Sequence, residues 1–384
     1  MENTLEFVDA VTNARGWLVY HDDAFTLSAG GCRMRAGLTS AELSTLAQRM
    51  SLKQRALGAN VGGAKCGLDI DPAHPEAEAV LRRFLDTLRP ELTTRYSMGP
   101  DMNTEWEQLS RLARQVDVPS LKIAVQKAQG LSEDDFQARL AILSAPLGRG
   151  PLGQRRAGHA LAHAALAAAD QAGITRPVRY ALQGFGNLGQ AVIASMRDAH
   201  AALVALGDET GCLYDSNGID PGWLLTARRR TPVPELASMA TRERGCEKLF
   251  SRQADVLILA GGADALTAEQ ARSAPYAAVV VGANYGLSQE AEDVLHSRGV
   301  IVVPDFIGGI GGPASMEALF GTPHIPDADE VLDRLARIMR GLIEDLVTTG
   351  RARGLTPTQA ATYLALASTS DPHGRPYGHC RYLT

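Results

Sequence analysis

Aromatic side chains are scarce in this 384-residue chain, at 5% of the total. A core must therefore be built from small aliphatic residues on closely packed helices, and the heavy use of alanine fits that. Cysteine is also scarce. The five thiols (Cys32, Cys66, Cys212, Cys246, Cys380) are scattered and none falls in a CxxC pair. That spacing excludes a disulfide framework or a zinc ribbon and points to reduced thiols. Long apolar runs are missing too, since no stretch approaches the ~18 residues that a membrane helix requires. The opening segment, MENTLEFVDAVTNARG, lacks a basic patch followed by an apolar one, so secretion is not expected. Nor is there an excess of one charge. The formal net charge is −5, which gives no reason to expect nucleic acid or an anionic membrane as partner. A soluble protein of the cytoplasm is the expectation.

The length is too great for one ordinary domain and comfortable for two. No repeat or low-complexity tract appears. A strand-like piece, Trp17–Tyr20, precedes a helical segment from Thr39 to about Gly58. Proline and glycine gather at Ser144–Gly153, a hinge signal, and an alanine-rich helix over Ala157–Ala172 follows. Beyond it, short apolar runs (Asp255–Ala260, Ala277–Ala283, Val300–Pro304) alternate with helical patterns, and a helical tail covers Asp327–Ala367. That alternation predicts an α/β fold with a parallel sheet covered by helices on both faces. Two α/β domains with a cleft between them are expected. Arg228-Arg229-Arg230 reads as a solvated connector, and His379-Cys380 lacks further ligands at metal spacing. No metal site is expected.

Gly184-Phe185-Gly186-Asn187-Leu188-Gly189 fits GxGxxG between the strand-like run Val178–Leu182 and a helix. The first glycine allows a tight turn, the second lets a pyrophosphate approach the backbone, and the third lets helix and strand pack closely. The next strand, Ala202–Gly207, ends at Asp208. An acid there accepts hydrogen bonds from both adenosine ribose hydroxyls and repels a 2′-phosphate, which points to NAD over NADP. A glycine turn without ligand and a surface aspartate are the bland reading, which the ordered context disfavours.

In the earlier half, the Thr39–Gly58 helix places Leu43, Leu46, Ala47, Met50 and Leu57 on one stripe, and Lys53 falls on it. A lysine there usually snorkels. Twelve residues later, Gly62-Gly63-Ala64-Lys65-Cys66-Gly67 reads as a glycine-rich turn that brings Lys65 close to a ligand. Met98-Gly99-Pro100-Asp101 puts a carboxylate in a rigid loop. Lysines in clefts anchor anions, or act as acids and bases once burial lowers their pKa. The residue types make these three candidates without assembling them.

The ordered set Gly30-Gly31-Cys32-Arg33-Met34, Met50-Ser51-Leu52-Lys53, Gly62-Gly63-Ala64-Lys65, Gly99-Pro100-Asp101, Gly184–Gly189, Asp208, Gly282-Ala283-Asn284 and Val303-Pro304-Asp305 resembles the glutamate/leucine/phenylalanine/valine dehydrogenase family over most of the chain. The likeness is to a divergent member nearer the leucine and phenylalanine types. It implies an N-terminal substrate-binding and oligomerisation domain over 1–145, with 335–384 returning to it, and a Rossmann-type NAD-binding domain over 146–334. It also implies a homo-oligomer and a small amino acid or 2-oxo acid as partner. By the same resemblance, Lys53 anchors the substrate α-carboxylate with backbone at Gly30 and Gly31. Lys65 and Asp101 are catalytic: Lys65 polarises the carbonyl or carbinolamine oxygen, and Asp101 carries protons. Ala29, Met50 and Met316 line the substrate pocket, while Ala260, Gly261 and Asn284 join the cofactor site. Two lysines in one pocket lower each other's pKa, so a neutral Lys65 is expected beside a charged Lys53.

Three positions depart from the family pattern. Gly309 stands where an asparagine is usual, Gly158 where a threonine hydroxyl is usual, and Pro313 follows Gly312 in what reads as a pocket loop. His159 offers a substitute polar group or a structural histidine. Glutamate enzymes carry a lysine just before the Gly-Gly and a serine in the late loop, and here Ala29 and Met316 occupy those places. No cation is left for a second carboxylate, and burying one unpaired would be costly. The expected reaction is NAD-dependent oxidative deamination of an apolar, bulky or aromatic L-amino acid, or its reverse. Gly309 keeps open a reductase of an imine or 2-oxo acid that takes up no ammonia. A non-catalytic NAD-binding homologue is the third reading, disfavoured by the joint presence of Lys53, Lys65 and Asp101.

Overall fold

The computed structural model describes residues 3–147, 150–226, 233, 241–243 and 246–383. Gly148 and Arg149 of the expected hinge and the Arg228–Arg230 run lie outside the described residues. Two compact units divide the chain: residues 1–139, 320–323 and 365–381 form the first, and the remainder forms the second.

The first unit is built on a mixed five-stranded sheet in the order β1-β2-β4-β3-β5. Its strands are β1 (Asn3–Val8), β2 (Arg15–Tyr20), β3 (Ser28–Met34), β4 (Gly62–Asp69) and β5 (Tyr96–Pro100). Helix α1 (Ser40–Ala56) links β3 to β4, and α2 (Ala77–Thr87), α3 (Arg89–Thr94), α4 (Trp106–Arg114) and α5 (Ile123–Gln129) flank β5. Side chains alternate between the faces of each strand. On one face Cys32, Met34, Ala64, Cys66, Leu68, Tyr96 and Met98 pack with Leu81, Phe84 and Leu109 of α2 and α4 into one core. Burying each Leu or Phe in such a cluster stabilises the fold by about 1.5–3 kcal/mol. The opposite face packs Trp17 and Val19 against Leu43 and Ala47 of α1.

Gly62–Gly67, expected as a turn, is strand. Its glycines serve helix contact rather than chain reversal. A Cβ on Gly63 would lie 2.2 Å from the Ser51 amide nitrogen and 2.3 Å from the Ala47 carbonyl, so α1 rests directly on β4 backbone. Thr39 caps α1 by accepting from the Glu42 amide.

The second unit holds a seven-stranded sheet in the order β12-β11-β10-β6-β7-β8-β9. Strands β6 (Arg179–Gln183), β7 (Ala202–Asp208), β10 (Val256–Leu259), β11 (Ala278–Val281) and β12 (Ile301–Val303) are parallel, as expected. Strands β8 (Gly211–Tyr214) and β9 (Thr241–Glu243) extend the sheet antiparallel beyond β7, an extension absent from the sequence expectation. Helix α6 (Glu133–Leu143) leads towards the alanine-rich α7 (Leu152–Gln171). The helices α8 (Asn187–Asp198), α9 (Pro221–Leu224), α10 (Ala268–Ser273), α11 (Gln289–Ser297), α12 (Asp305–Gly308) and α13 (Gly311–Phe320) follow.

The helical tail is two helices, α14 (Ala328–Arg353) and α15 (Pro357–Ala367), separated at Gly354, which takes the left-handed φ of 64° that ends α14. The apolar stripe of α14 (Leu335, Ile338, Leu342, Leu346) is buried, and α14 packs on α7 within the second unit. The return to the first unit is thus made by 365–381 and not from 335 onward.

Candidate active site

Three of the expected residues, Gly31 on β3, Lys65 on β4 and Asp101 just after β5, meet on one face of the sheet. Lys65 Nζ lies 2.7 Å from Asp101 Oδ2, with side chains 6% and 18% exposed. The strand register accounts for this. Gly31 sits opposite Gly99 on β5, and Asp101 follows directly after that strand. A Cβ on Gly31 would come within 2.9 Å of Asp101 Cβ and 3.2 Å of Lys65 Nζ, so only a glycine leaves the lysine its place. Thr104 fixes the loop by donating its hydroxyl to the Cys32 carbonyl (2.7 Å) and accepting from the Asp101 amide (3.1 Å).

Arg33, to which the sequence reading gave no role, completes the group. Its Nε donates to the same Asp101 oxygen at 3.0 Å, and its Nη1 reaches Glu42 Oε1 at 2.9 Å. Arg33 and Gly31 are two apart on one strand, so the period of two puts them on one face. That signal was available in the sequence. Burial works against ionisation of Asp101, but the neighbouring charges of Lys65 and Arg33 outweigh it and hold the carboxyl down at about 2. Asp101 is therefore a carboxylate throughout the neutral range.

The other substrate candidates lie on α1, β3 and α13. Lys53 is buried in the last turn of α1, while Met50 on the same helix is half-buried. Ser51, between them, accepts from the Gly63 amide (3.1 Å) and pairs with His21 Nδ1 (3.0 Å), tying α1 to β4. Gly30 is pressed against the Ala64 carbonyl, where a Cβ would stand 1.7 Å from the oxygen. Ala29 is buried opposite Ser97 of β5. Met316 is buried in α13 of the second unit.

The cofactor candidates gather at the carboxyl ends of the parallel strands of the second unit, where the strand order reverses between β6 and β10. Gly184 turns with φ 101°, and its missing Cβ admits the Ala260-Gly261 backbone, with the Gly261 nitrogen 2.8 Å from where a Cβ would be. Gly189 packs the helix onto the turn, its would-be Cβ 2.0 Å from the Gly184 carbonyl. Gly186 differs from both: no protein atom lies within 4 Å of its would-be Cβ, and it is exposed at the N-terminus of α8. A cradle a side chain would fill, at a helix N-terminus, fits a dinucleotide pyrophosphate. Phe185 is buried, whereas Asn187 and Leu188 open α8 at the same rim. Asn284 follows β11, with the next amide, Tyr285, donating to Asp305 (2.9 Å).

Asp208 ends β7 beside this turn, the Gly184 amide donating to the Gly207 carbonyl at 2.7 Å. Its carboxylate also organises the β7–β8 turn, accepting from the amides of Thr210 (2.8 Å), Gly211 (3.2 Å) and Val233 (2.8 Å).

Two departures acquire physical reasons. A Cβ on Gly158 would lie 2.4 Å from Ala191 Cβ and 2.7 Å from the Val192 nitrogen, so the residue allows α7 to approach α8. His159 is structural, with Nδ1 3.2 Å from Ser195 Oγ and Nε2 3.1 Å from the Leu332 carbonyl. Pro313 stands in the first turn of α13, where a proline is tolerated, and not in a loop. Among the described residues no cluster of three or more His, Cys, Asp or Glu could hold a metal ion.

Comparison with known proteins agrees with this geometry. Residues 152–373 match the profile of the Glutamate/Leucine/Phenylalanine/Valine dehydrogenase family, and residues 4–117 match that of the Glu/Leu/Phe/Val dehydrogenase dimerisation domain. The chain belongs to this family. It is an amino-acid dehydrogenase. It is 27% identical to a glutamate dehydrogenase of Thermotoga maritima, over 91% of this chain and 83% of that one. An NAD-specific glutamate dehydrogenase of Staphylococcus aureus is 26% identical over 77% of this chain and 70% of its own length. Among solved structures, a hetero-hexameric glutamate dehydrogenase from Thermus thermophilus, in a Leu-bound form, aligns with TM-score 0.76 and 25% identity, covering 95% and 87% of the two chains. The dehydrogenase from Peptoniphilus asaccharolyticus shares the fold at TM-score 0.71.

Proposed function

We propose that this dehydrogenase oxidatively deaminates a bulky L-amino acid, or runs the reverse reductive amination, with NAD as its cofactor. The carrying observation is the buried Lys65–Asp101 contact at 2.7 Å, held by Arg33. Deamination needs an acid or electrophile at the carbonyl or carbinolamine oxygen and a base for the amino group and water. Lys65 supplies the first and the ionised Asp101 the second. Lys53, with the backbone at Gly30 and Gly31, anchors the α-carboxylate. NAD takes the hydride from the α-carbon. The Gly184–Gly189 turn receives its pyrophosphate, Asp208 the adenosine ribose, and Ala260, Gly261 and Asn284 the nicotinamide side.

Side-chain bulk is supported by Ala29 and by Gly99, whose would-be Cβ meets nothing nearer than the Gly30 carbonyl at 3.9 Å. Ala29 is uncharged and buried, so an apolar or aromatic body suits that wall of the sheet. Gly309 supports the second reading, reduction of an imine or 2-oxo acid, because it offers no side-chain amide to orient the substrate. The match to the dimerisation-domain profile supports a homo-oligomer. Among the described residues Cys32, Cys66, Cys212 and Cys380 are buried and form no disulfide, which suits a reducing cytoplasmic compartment, and no helix is long and apolar enough to cross a membrane.

An NAD⁺-reduction screen across the twenty amino acids tests the reading, with Lys65→Ala as control. Turnover of bulky substrates that the variant lacks is the expected result. NADH oxidation by 2-oxo acids without ammonium would favour the second reading, and unchanged activity in the variant would overturn the assigned chemistry.

A further inference from the structure

Two residues with side chains take left-handed backbone where the cofactor candidates gather, Asp264 at φ 46° and Tyr285 at φ 56°. Tyr285 stands in the turn after β11, which the Gly286 amide closes by donating to the Ala283 carbonyl at 3.1 Å. Asn284 and Tyr285 are its central pair, and positive φ at the second of these favours glycine. The tyrosine is held there from both sides. Its amide donates to Asp305 Oδ2 at 2.9 Å, and its carbonyl accepts from the Asp264 amide at 2.8 Å. The Ala265 amide continues the seam to the Gly286 carbonyl at 3.0 Å. Asp305 opens α12 directly after β12, and it is buried. Strand β12 runs parallel to β11, and a Cβ on Gly308 would stand 2.2 Å from the Val281 carbonyl oxygen. The helix therefore carries Asp305 to the end of β11. Among the described residues nothing hydrogen-bonds the half-buried Asn284 side chain, so its amide is left for a ligand.

We propose that Asp305 is a positioning residue for the nicotinamide half of the cofactor site, acting through the Tyr285 amide on Asn284. Left-handed backbone at a residue with a side chain costs free energy and persists only where the surroundings enforce it. Here Asp305 enforces the peptide before Tyr285 and Asp264 the peptide after it. Without the Asp305 oxygen, the Asn284–Tyr285 peptide is free to turn towards a cheaper conformation, and the Asn284 side chain moves with it. The same seam ties the turn to the Gly261-Gly262 segment, whose Gly261 amide donates to Gln183 Oε1 at 3.0 Å. The adenosine and pyrophosphate side stands instead on β6, α8 and β7, which the bond from Tyr285 to Asp305 does not involve. The inference rests on the reading that NAD is the cofactor and that Asn284 meets its nicotinamide ribose.

The test titrates the full-length protein with NADH and, separately, with ADP, which lacks the nicotinamide and its ribose. Nicotinamide fluorescence reads the first and calorimetry the second. Asp305→Ala should weaken NADH binding about 10- to 30-fold and leave ADP binding within about twofold. Asn284→Ala should also lose NADH selectively. Adding Asp305→Ala to it should cost less than about threefold more, because the two residues act as one. Asp305→Asn keeps an oxygen acceptor and should retain most of the affinity. If Asp305→Ala does not fold, Tyr285→Pro carries the same expectation, since proline has no N–H and cannot take positive φ. Equal loss of NADH and ADP, additive losses in the double variant, or a wild type that binds NADH no more tightly than ADP overturns the inference. If the selective loss appears although no amino acid is turned over, the positioning role stands and the deamination reading fails.

Discussion

Two half-buried histidines on α7 should make the second unit acid-sensitive. His159 and His163 lie with ring centroids 4.3 Å apart. Burial pushes both imidazoles down, His159 to about 3 with help from the His163 charge, and His163 to about 4 with help from Arg340 and Arg176. Other groups facing them are Ser195, the Leu332 carbonyl, Arg155, Asp198 and Asp333. In the unfolded chain each imidazole titrates near 6.5. Between that value and the folded one, the unfolded state holds the extra protons, so stability is full above about pH 6.5 and declines as pH falls. At pH 5 the gap is about 1.5 units, or about 2 kcal/mol per ring and about 4 kcal/mol for the pair. Urea midpoints at pH 7.5, 6.5, 5.5 and 5.0, at fixed protein concentration, should show this fall. His163→Leu should remove about half of it relative to the wild type. Identical pH slopes in wild type and variant would refute the assignment.

The glycines of the cofactor turn should separate folding from binding. Gly186→Ala meets no protein atom, so its melting temperature should stay put while NAD affinity, read by NADH fluorescence, drops at least about tenfold. Gly189→Ala would drive its Cβ into the Gly184 carbonyl and should lower the melting temperature itself. Gly99→Val adds bulk in open space, so the fold should survive while KM for large amino acids rises and that for small ones does not. Asp101→Asn leaves Lys65 and Arg33 without their shared anion. It should cut kcat by about 10²–10⁴-fold and cost about 3 kcal/mol in denaturant stability. Because Asp101 titrates at about 2, any acid limb of wild-type kcat/KM between pH 5 and 8 belongs to another group.

Legibility followed the range of the interaction. The parallel strands and the glycine turn were visible because their signals are local: apolar runs of the right length, and glycines at fixed offsets beside a strand and a helix. The Gly62–Gly67 stretch misled for the same reason. Glycines read locally as a turn, whereas here they let α1 lie on β4, a contact between residues such as Ala47 and Gly63 that no local pattern encodes. Gly158 looked like a lost hydroxyl and is a helix-crossing contact with Ala191. The tail was expected to return from residue 335, but α14 carries its own apolar stripe, and the alanine surface of α7 is where it is buried.

The substrate question shows where reading one position at a time stops. The residue at position 29 tells what that position carries, and not which segments the fold lays beside it. Electrostatics acts through space and not through alignment columns. A strand pair in register, Ala29 beside Ser97, makes any side chain reaching Ser97 a neighbour of position 29 as well. Lys122 reaches it from the far side of α4, from a segment whose sequence, Val-Pro-Ser-Leu-Lys, shows no pattern to mark it. Which edge segment lies against β5 is thus a property of the folded sheet alone.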